Sequence, residues 1–161
     1  GDHRDLHRVD RRQRQMCIRD SSYIDLAQME GGRIECGGKQ VHMPVPNEGG
    51  YFVEPTIITG LVQNCRTNQE EIFGPVLSVL SFRTDDEVIE KANNTPYGLS
   101  AGVWTDKGSK IFNMTTKLRA GVVWANTFNK FDPASPFGGY KESGFGREGG
   151  LHGLSAYVNI I

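Results

Sequence analysis

Gln69-Glu70-Glu71-Ile72-Phe73-Gly74-Pro75-Val76 runs directly into the apolar stretch Val76-Leu77-Ser78-Val79-Leu80. A carboxylate and an aromatic ring stand two residues apart, and a Gly-Pro corner then opens a strand that reads as buried. Such an arrangement holds an acidic side chain at the rim of a sheet, facing a ligand. In isolation the same letters also fit a glutamate that caps a turn and a phenylalanine that belongs to the core.

Downstream the pattern alternates. Val76 to Phe82 reads as a strand, and Thr84-Asp85-Asp86-Glu87 starts a helix with a cap and acidic residues at its positive end. That helix carries Val88, Ile89 and Ala92 inward and stops at Asn93-Asn94-Thr95-Pro96. Leu99 to Thr105 is a second strand, Lys107 to Leu118 a helix with Ile111, Phe112, Met114 and Leu118 at helical spacing, and Gly121 to Ala125 a third strand. Strand–helix–strand–helix–strand with short links implies right-handed crossovers, hence an α/β fold with a parallel sheet and flanking helices. A long loop from Asn126 to Gly150 follows, and Ala156-Tyr157-Val158-Asn159-Ile160-Ile161 reads as a final strand. Upstream, Tyr23 to Met29 forms a short helical stripe with Ser21 or Ser22 as its cap and Gly31-Gly32 as its stop. Arg33 to Cys36 is a strand closed by Gly37-Gly38, and Phe52 to Thr59 is β-rich but bent at Pro55.

The long loop carries Pro136-Phe137-Gly138-Gly139-Tyr140-Lys141-Glu142-Ser143-Gly144-Phe145-Gly146-Arg147-Glu148, with Phe128 and Phe131 just before it. Ligands of open parallel sheets bind beyond the carboxyl ends of the strands, where this loop begins. Gly144 to Gly149 matches G-x-G-x-x-G letter for letter, but it neither follows a strand directly nor precedes an acid about 20 residues on, so it is no dinucleotide fingerprint. The glycines instead allow a sharply folded loop, with Arg147 and Glu148 pinning it by charge-assisted hydrogen bonds.

Glu71-Ile72-Phe73-Gly74-Pro75 resembles the cofactor-ribose segment of the aldehyde dehydrogenase superfamily, and Pro136 to Glu148 resembles that family's Gly-rich C-terminal signature. The two motifs stand in the family's order, and the similarity runs from roughly Tyr23 to the end. The resemblance implies an incomplete half of an aldehyde dehydrogenase-like catalytic domain (residues 21–154) followed by an oligomerisation strand (155–161). It assigns Glu71 to the vicinal hydroxyls of the ribose of NAD or NADP, and Phe73 to packing beside that cofactor. Phe131 and Phe137 correspond to positions that wall the aldehyde tunnel, although each also fits a loop anchor buried against the domain. Asp132-Pro133-Ala134-Ser135 lies where members vary and is expected to help set aldehyde preference. Several relatives carry a glutamate where Asn159 stands here, which leaves the partner of Arg147 open. The family's nucleophilic cysteine and general base fall outside this chain, so no catalytic residue is assigned and the chain alone is expected to be inactive.

With 161 residues the chain has room for one domain with a core, and not for two large ones. A net charge of −1 gives no electrostatic footprint for nucleic acid, and no apolar run approaches the length of a membrane span. Cys17, Cys36 and Cys65 form neither a disulfide framework nor a metal-ligand set, and no apolar signal core precedes them, which fits a reducing cytoplasm. Cys36 reads as a small buried strand residue, Cys65 as part of a polar loop, and His42 and His152 as surface residues that form no metal-ligand spacing. Residues 1–20 are rich in arginine and aspartate without an apolar face, and are read as a disordered or non-native leader. Arg11 to Ser21 resembles translated adapter sequence, and a polyanion-binding arm is the other reading. The parent enzyme is expected to be a homo-oligomer acting on a small aldehyde; the rival reading is a non-catalytic α/β binding or assembly module.

Overall fold

The computed structural model describes residues 18–159. The chain divides between Ser81 and Phe82 into two compact units, a division the sequence reading did not draw.

In the first unit, helix α1 (residues 18–29) is followed by strands β1 (Arg33–Cys36), β2 (Gln40–Val41), β3 (Phe52–Val53) and β4 (Thr56–Thr59), helix α2 (Arg66–Gln69) and strand β5 (Val76–Ser78). The helix ends in a Schellman motif: Gly32 N–H bonds Ala27 O at 2.8 Å, Gly31 N–H bonds Gln28 O at 3.1 Å, and Gly31 takes φ 89°. The expected stop is therefore correct and the expected start is not. Residues 18–20, assigned to the leader above, are helical, and Asp20 is buried. Ser21 and Ser22 lie inside the helix, where the Ser22 hydroxyl donates back to Arg19 O at 2.6 Å. The remainder of the leader, residues 1–17, and residues 160–161 lie outside the described residues.

Strand β4 is the centre of this unit. It pairs antiparallel with β1 (Arg33↔Thr59, Ile34↔Ile58) and parallel with β5 (Thr56↔Val76, Ile57↔Leu77, Ile58↔Ser78). Its side chains alternate, so Thr56 and Ile58 are buried while Ile57 faces out. Ile58 and Ala27, both at 0% exposure, form the core with Leu61 and Cys65, and Ile34 and Val76 pack against them. Full burial of an isoleucine side chain stabilises a fold by roughly 1.5–3 kcal/mol. Three expectations need correction here. Cys36 is exposed and Cys65 is buried, because Cys65 turns into this core while Cys36 lies on an open edge. Strand β5 is shorter than expected and not fully buried: Leu77 faces outward, and Val79, just past its end, is exposed. It joins β4, not the downstream strands.

The second unit contains helix α3 (Asp85–Asn93), strands β6 (Tyr97–Gly98) and β7 (Ser100–Val103), helix α4 (Gly108–Lys117), strands β8 (Val122–Ala125) and β9 (Tyr140–Lys141), and helix α5 (Gly150–Leu154). Thr84 caps α3 as expected, its Oγ1 accepting from Glu87 N–H at 3.1 Å, and the Glu87 carboxylate returns to Arg83 N–H at 2.7 Å. Strands β7 and β8 pair in parallel over four residues, from Ser100↔Val122 to Val103↔Ala125, with α4 as their crossover. Met114 is the buried residue of α4 and Ile111 and Leu118 flank it, whereas Phe112 points to solvent. Phe112 shares the apolar composition of that stripe but not its phase, since it follows Ile111 by one position.

The strands expected to share one parallel sheet are thus divided: β5 pairs in parallel with β4 in the first unit and β7 with β8 in the second, while β2–β3 and β6–β9 form two further antiparallel pairs. The expected final strand is also absent over its described part. Residues 155–158 form turns and a bend, and Asn159 has no regular structure. A strand needs a partner edge, and among the described residues none pairs with this segment. Among the described residues, no helix is long and apolar enough to cross a membrane.

Candidate functional site

Glu70 and Glu71 are adjacent and chemically identical, yet their surroundings differ. The Glu70 carboxylate accepts Tyr23 Oη at 2.6 Å, Arg66 Nε at 2.6 Å and Arg66 Nη2 at 3.0 Å. The Arg66 bonds, and then the Tyr23 bond, draw its pKa from 4.5 down to about 2. The same Glu70 bond raises the Tyr23 phenol above its ordinary value. Among the described residues the Glu71 carboxylate has no hydrogen-bond partner, and the residue is exposed. Only its backbone carbonyl is engaged, by Arg19 Nη2.

Phe73 is unusual in backbone and side chain alike. Its φ of 65° lies in the left-handed region, and its ring is 64% exposed. A bulky residue held at positive φ costs on the order of 1–2 kcal/mol and persists only where its surroundings impose it. The corner glycine beside it, Gly74, lies against the Asp20 carboxyl, so a Cβ there would collide with that group. Burial, partly offset by Arg19, raises the Asp20 pKa. The sequence therefore spends backbone strain on an exposed aromatic ring two residues after a carboxylate that has no partner among the described residues. An exposed carboxylate followed two positions on by an exposed aromatic ring can accept hydroxyl hydrogen bonds and offer a flat apolar face.

In the second unit, Phe131 and Phe137 come together as edge-to-face rings 5.0 Å apart. The sequence reading missed Trp124, against which Phe131 packs. This buried residue on β8 contacts Phe128 at 4.8 Å and Phe131 at 5.4 Å, both edge-on, and its indole N–H donates to Lys130 O at 3.0 Å. Edge-to-face pairs add roughly 0.5–1.5 kcal/mol each beyond their buried area. Phe131 remains 58% exposed while Phe137 is half-buried, so one ring presents its surface and the other supports it.

The Gly-rich loop is pinned as expected, though by different atoms. Arg147 Nη1 donates to the carbonyls of Gly139 (2.8 Å), Gly146 (2.9 Å) and Phe145 (3.2 Å), and its guanidinium lies 5.3 Å from the Tyr140 ring centre. Backbone carbonyls thus serve as its described partners. Glu148 contributes through its backbone, exchanging hydrogen bonds with Phe137. Lys141, also missed, takes φ 54° and sends Nζ to the carbonyls of Asn93 at 2.7 Å and Thr95 at 2.9 Å. That places a cation at the negative end of α3. The i,i+4 spacing of Arg66 and Glu70 was the available sequence signal for their pair; nothing local signalled Tyr23 or Lys141.

The sequence model of the aldehyde dehydrogenase family matches residues 11–161. The chain belongs to the aldehyde dehydrogenase family. An aldehyde dehydrogenase of Enchytraeus buchholzi is 46% identical over 137 residues, which is 85% of this chain and 27% of that protein. An indole-3-acetaldehyde dehydrogenase solved with NAD+ superposes with a TM-score of 0.83 at 48% identity, covering 89% of this chain and 28% of that one. A Bacillus cereus aldehyde dehydrogenase, also solved with NAD+, gives 0.83 at 43% identity with the same coverage. This aldehyde dehydrogenase chain therefore spans little more than a quarter of the length of the relatives it matches. Its α/β architecture, with sheets and flanking helices, is the architecture of that family.

Proposed function

We propose that this chain serves as the C-terminal part of an NAD(P)-dependent aldehyde dehydrogenase that oxidises an aldehyde to a carboxylic acid. Residues 21–154 complete the catalytic domain, and 155–161, whose described part is irregular in the single chain, take up their strand on joining a homo-oligomer in the cytoplasm. The observation that carries the reading is the contrast between a locked Glu70 and a Glu71 carboxylate without a partner among the described residues, followed two positions on by the exposed ring of Phe73.

In this reading Glu71 accepts hydrogen bonds from the cofactor's ribose hydroxyls, and Phe73 packs against the adjoining ring. The cofactor supplies the hydride acceptor. What the chain contributes is placement, on which such a transfer depends steeply: an error of about 1 Å costs on the order of 100-fold in rate. Phe131 and Phe137 wall the aldehyde site, and the Trp124 cluster keeps their rings in place and excludes water. A cysteine outside this chain carries the acyl group as a thioester, and hydrolysis releases the acid.

The test compares the purified chain with a full-length enzyme carrying the same segment. Aldehyde-dependent NAD(P)H production with an acid product is expected from the full-length enzyme alone. Production by the isolated chain, lost on heating, would contradict the division of labour.

A further inference from the structure

Helix α2 is too short to hold its shape by itself, since a single turn does not repay its nucleation. Side chains fasten it at both ends. Glu30 caps its start, accepting Arg66 N–H at 2.8 Å, Thr67 N–H at 3.2 Å and Thr67 Oγ1 at 2.7 Å. Burial alone would raise the Glu30 pKa, but the bonds from Thr67 and Arg66 outweigh it and hold the carboxylate below its ordinary value. Asn68 Nδ2 and Gln69 Nε2 reach back to the carbonyls of Val62 (2.8 Å) and Gln63 (2.9 Å). At the far end Glu70 joins Arg66 within the helix to Tyr23 on α1.

Glu70 is also where the helix gives way to extended backbone, with φ −104° and ψ 151°. Consecutive side chains of an extended segment point to opposite sides. Fixing the Glu70 carboxylate inward against Tyr23 and Arg66 therefore directs the Glu71 carboxylate outward. The two glutamates form a lever, one arm fastened and the other presented.

We infer that Glu70 is a positioning residue for Glu71, and that the Tyr23–Glu70–Arg66 strap aims the Glu71 carboxylate at the nicotinamide cofactor. The inference rests on the reading of Glu71 as the ribose clamp. It predicts that loosening the strap weakens cofactor binding and leaves the aldehyde KM unmoved, because the strap acts through Glu71 alone.

A double-mutant cycle in the full-length enzyme tests it, using Tyr23→Phe, Glu71→Gln and the pair, with cofactor Kd from calorimetry and aldehyde KM from initial rates. Tyr23→Phe keeps the ring and its packing, so the fold survives; Arg66→Met gives an independent second variant. We expect Glu71→Gln to raise cofactor Kd by about 10-fold, in line with loss of a charged hydrogen bond. Tyr23→Phe should raise it several-fold in the parent background and not at all in the Glu71→Gln background. Equal effects of Tyr23→Phe in both backgrounds, or none in either, would overturn the positioning role while leaving the clamp intact. No change in Kd on Glu71→Gln itself would overturn the clamp, and the inference with it. A melting temperature that falls with Kd unmoved would reduce the strap to a purely structural tie.

Discussion

Phe137 and Glu148 exchange two backbone hydrogen bonds, each 2.7 Å long, and so close the Gly-rich loop with an antiparallel bridge. Arg147 fills the enclosed turn with three bonds to carbonyl oxygens, and the ring of Phe137 is carried on the closed loop to its contact with Phe131. The glycines matter for close approach as much as for unusual φ. A Cβ on Gly138 would strike the Gly146 carbonyl, and one on Gly121 would strike the carbonyl of Gly138.

Gly138→Ala should therefore destabilise the chain by about 1–3 kcal/mol, the range for forced overpacking. Urea unfolding should show a lower midpoint at unchanged slope. A midpoint equal to the parent's would mean that the loop opens freely and that its closure does not hold Phe137.

Lys141→Met keeps the aliphatic stem and removes the ammonium that bonds the carbonyls of Asn93 and Thr95. Loss of a part-buried cation from a helix C-terminus should cost about 1–2 kcal/mol. Thermal melting read at several salt concentrations checks this: the deficit should persist in high salt, because the site is shielded from screening. A deficit that vanishes in salt would assign Lys141 to general surface charge.

The α3 helix was legible because its cap and acidic first turn lie side by side, but its expected inward face held only in part: Val88 and Ile89 are half-buried and Ala92 is exposed. The parallel β7–α4–β8 unit was legible for the same local reason. Strand partners were not, since nothing in Val76 to Leu80 records that β4 lies beside it, and pairing decides which face of β5 stays open. The same limit hid Cys65 in the core and Cys36 on the surface. At the site, the motif around Glu71 was readable from its letters. The division of labour between Glu70 and Glu71 was not, because it depends on Tyr23, distant in sequence and close in space.

The Glu70 carboxylate makes stability depend on pH in a defined window. Its pKa is 4.5 when unpaired and about 2 in the folded chain, so folding favours the ionised form. The stabilisation is present above pH 4.5 and is lost as the pH falls toward 2. The difference in unfolding midpoint between the parent and Glu70→Gln should be greatest near neutrality and shrink across that interval. A difference that stays constant through the acid range would show that ionisation of Glu70 contributes nothing.

Whether Glu71 holds the cofactor for hydride transfer is tested by a single-turnover measurement on Glu71→Gln in the full-length enzyme with protonated and deuterated aldehyde. The hydride step should slow by roughly 10-fold or more, since a charged hydrogen bond is worth about 1.5–3 kcal/mol, with the isotope effect more fully expressed and acyl-enzyme formation still competent. An unchanged hydride-transfer rate, with an unchanged isotope effect, would contradict it and remove Glu71 from the cofactor site.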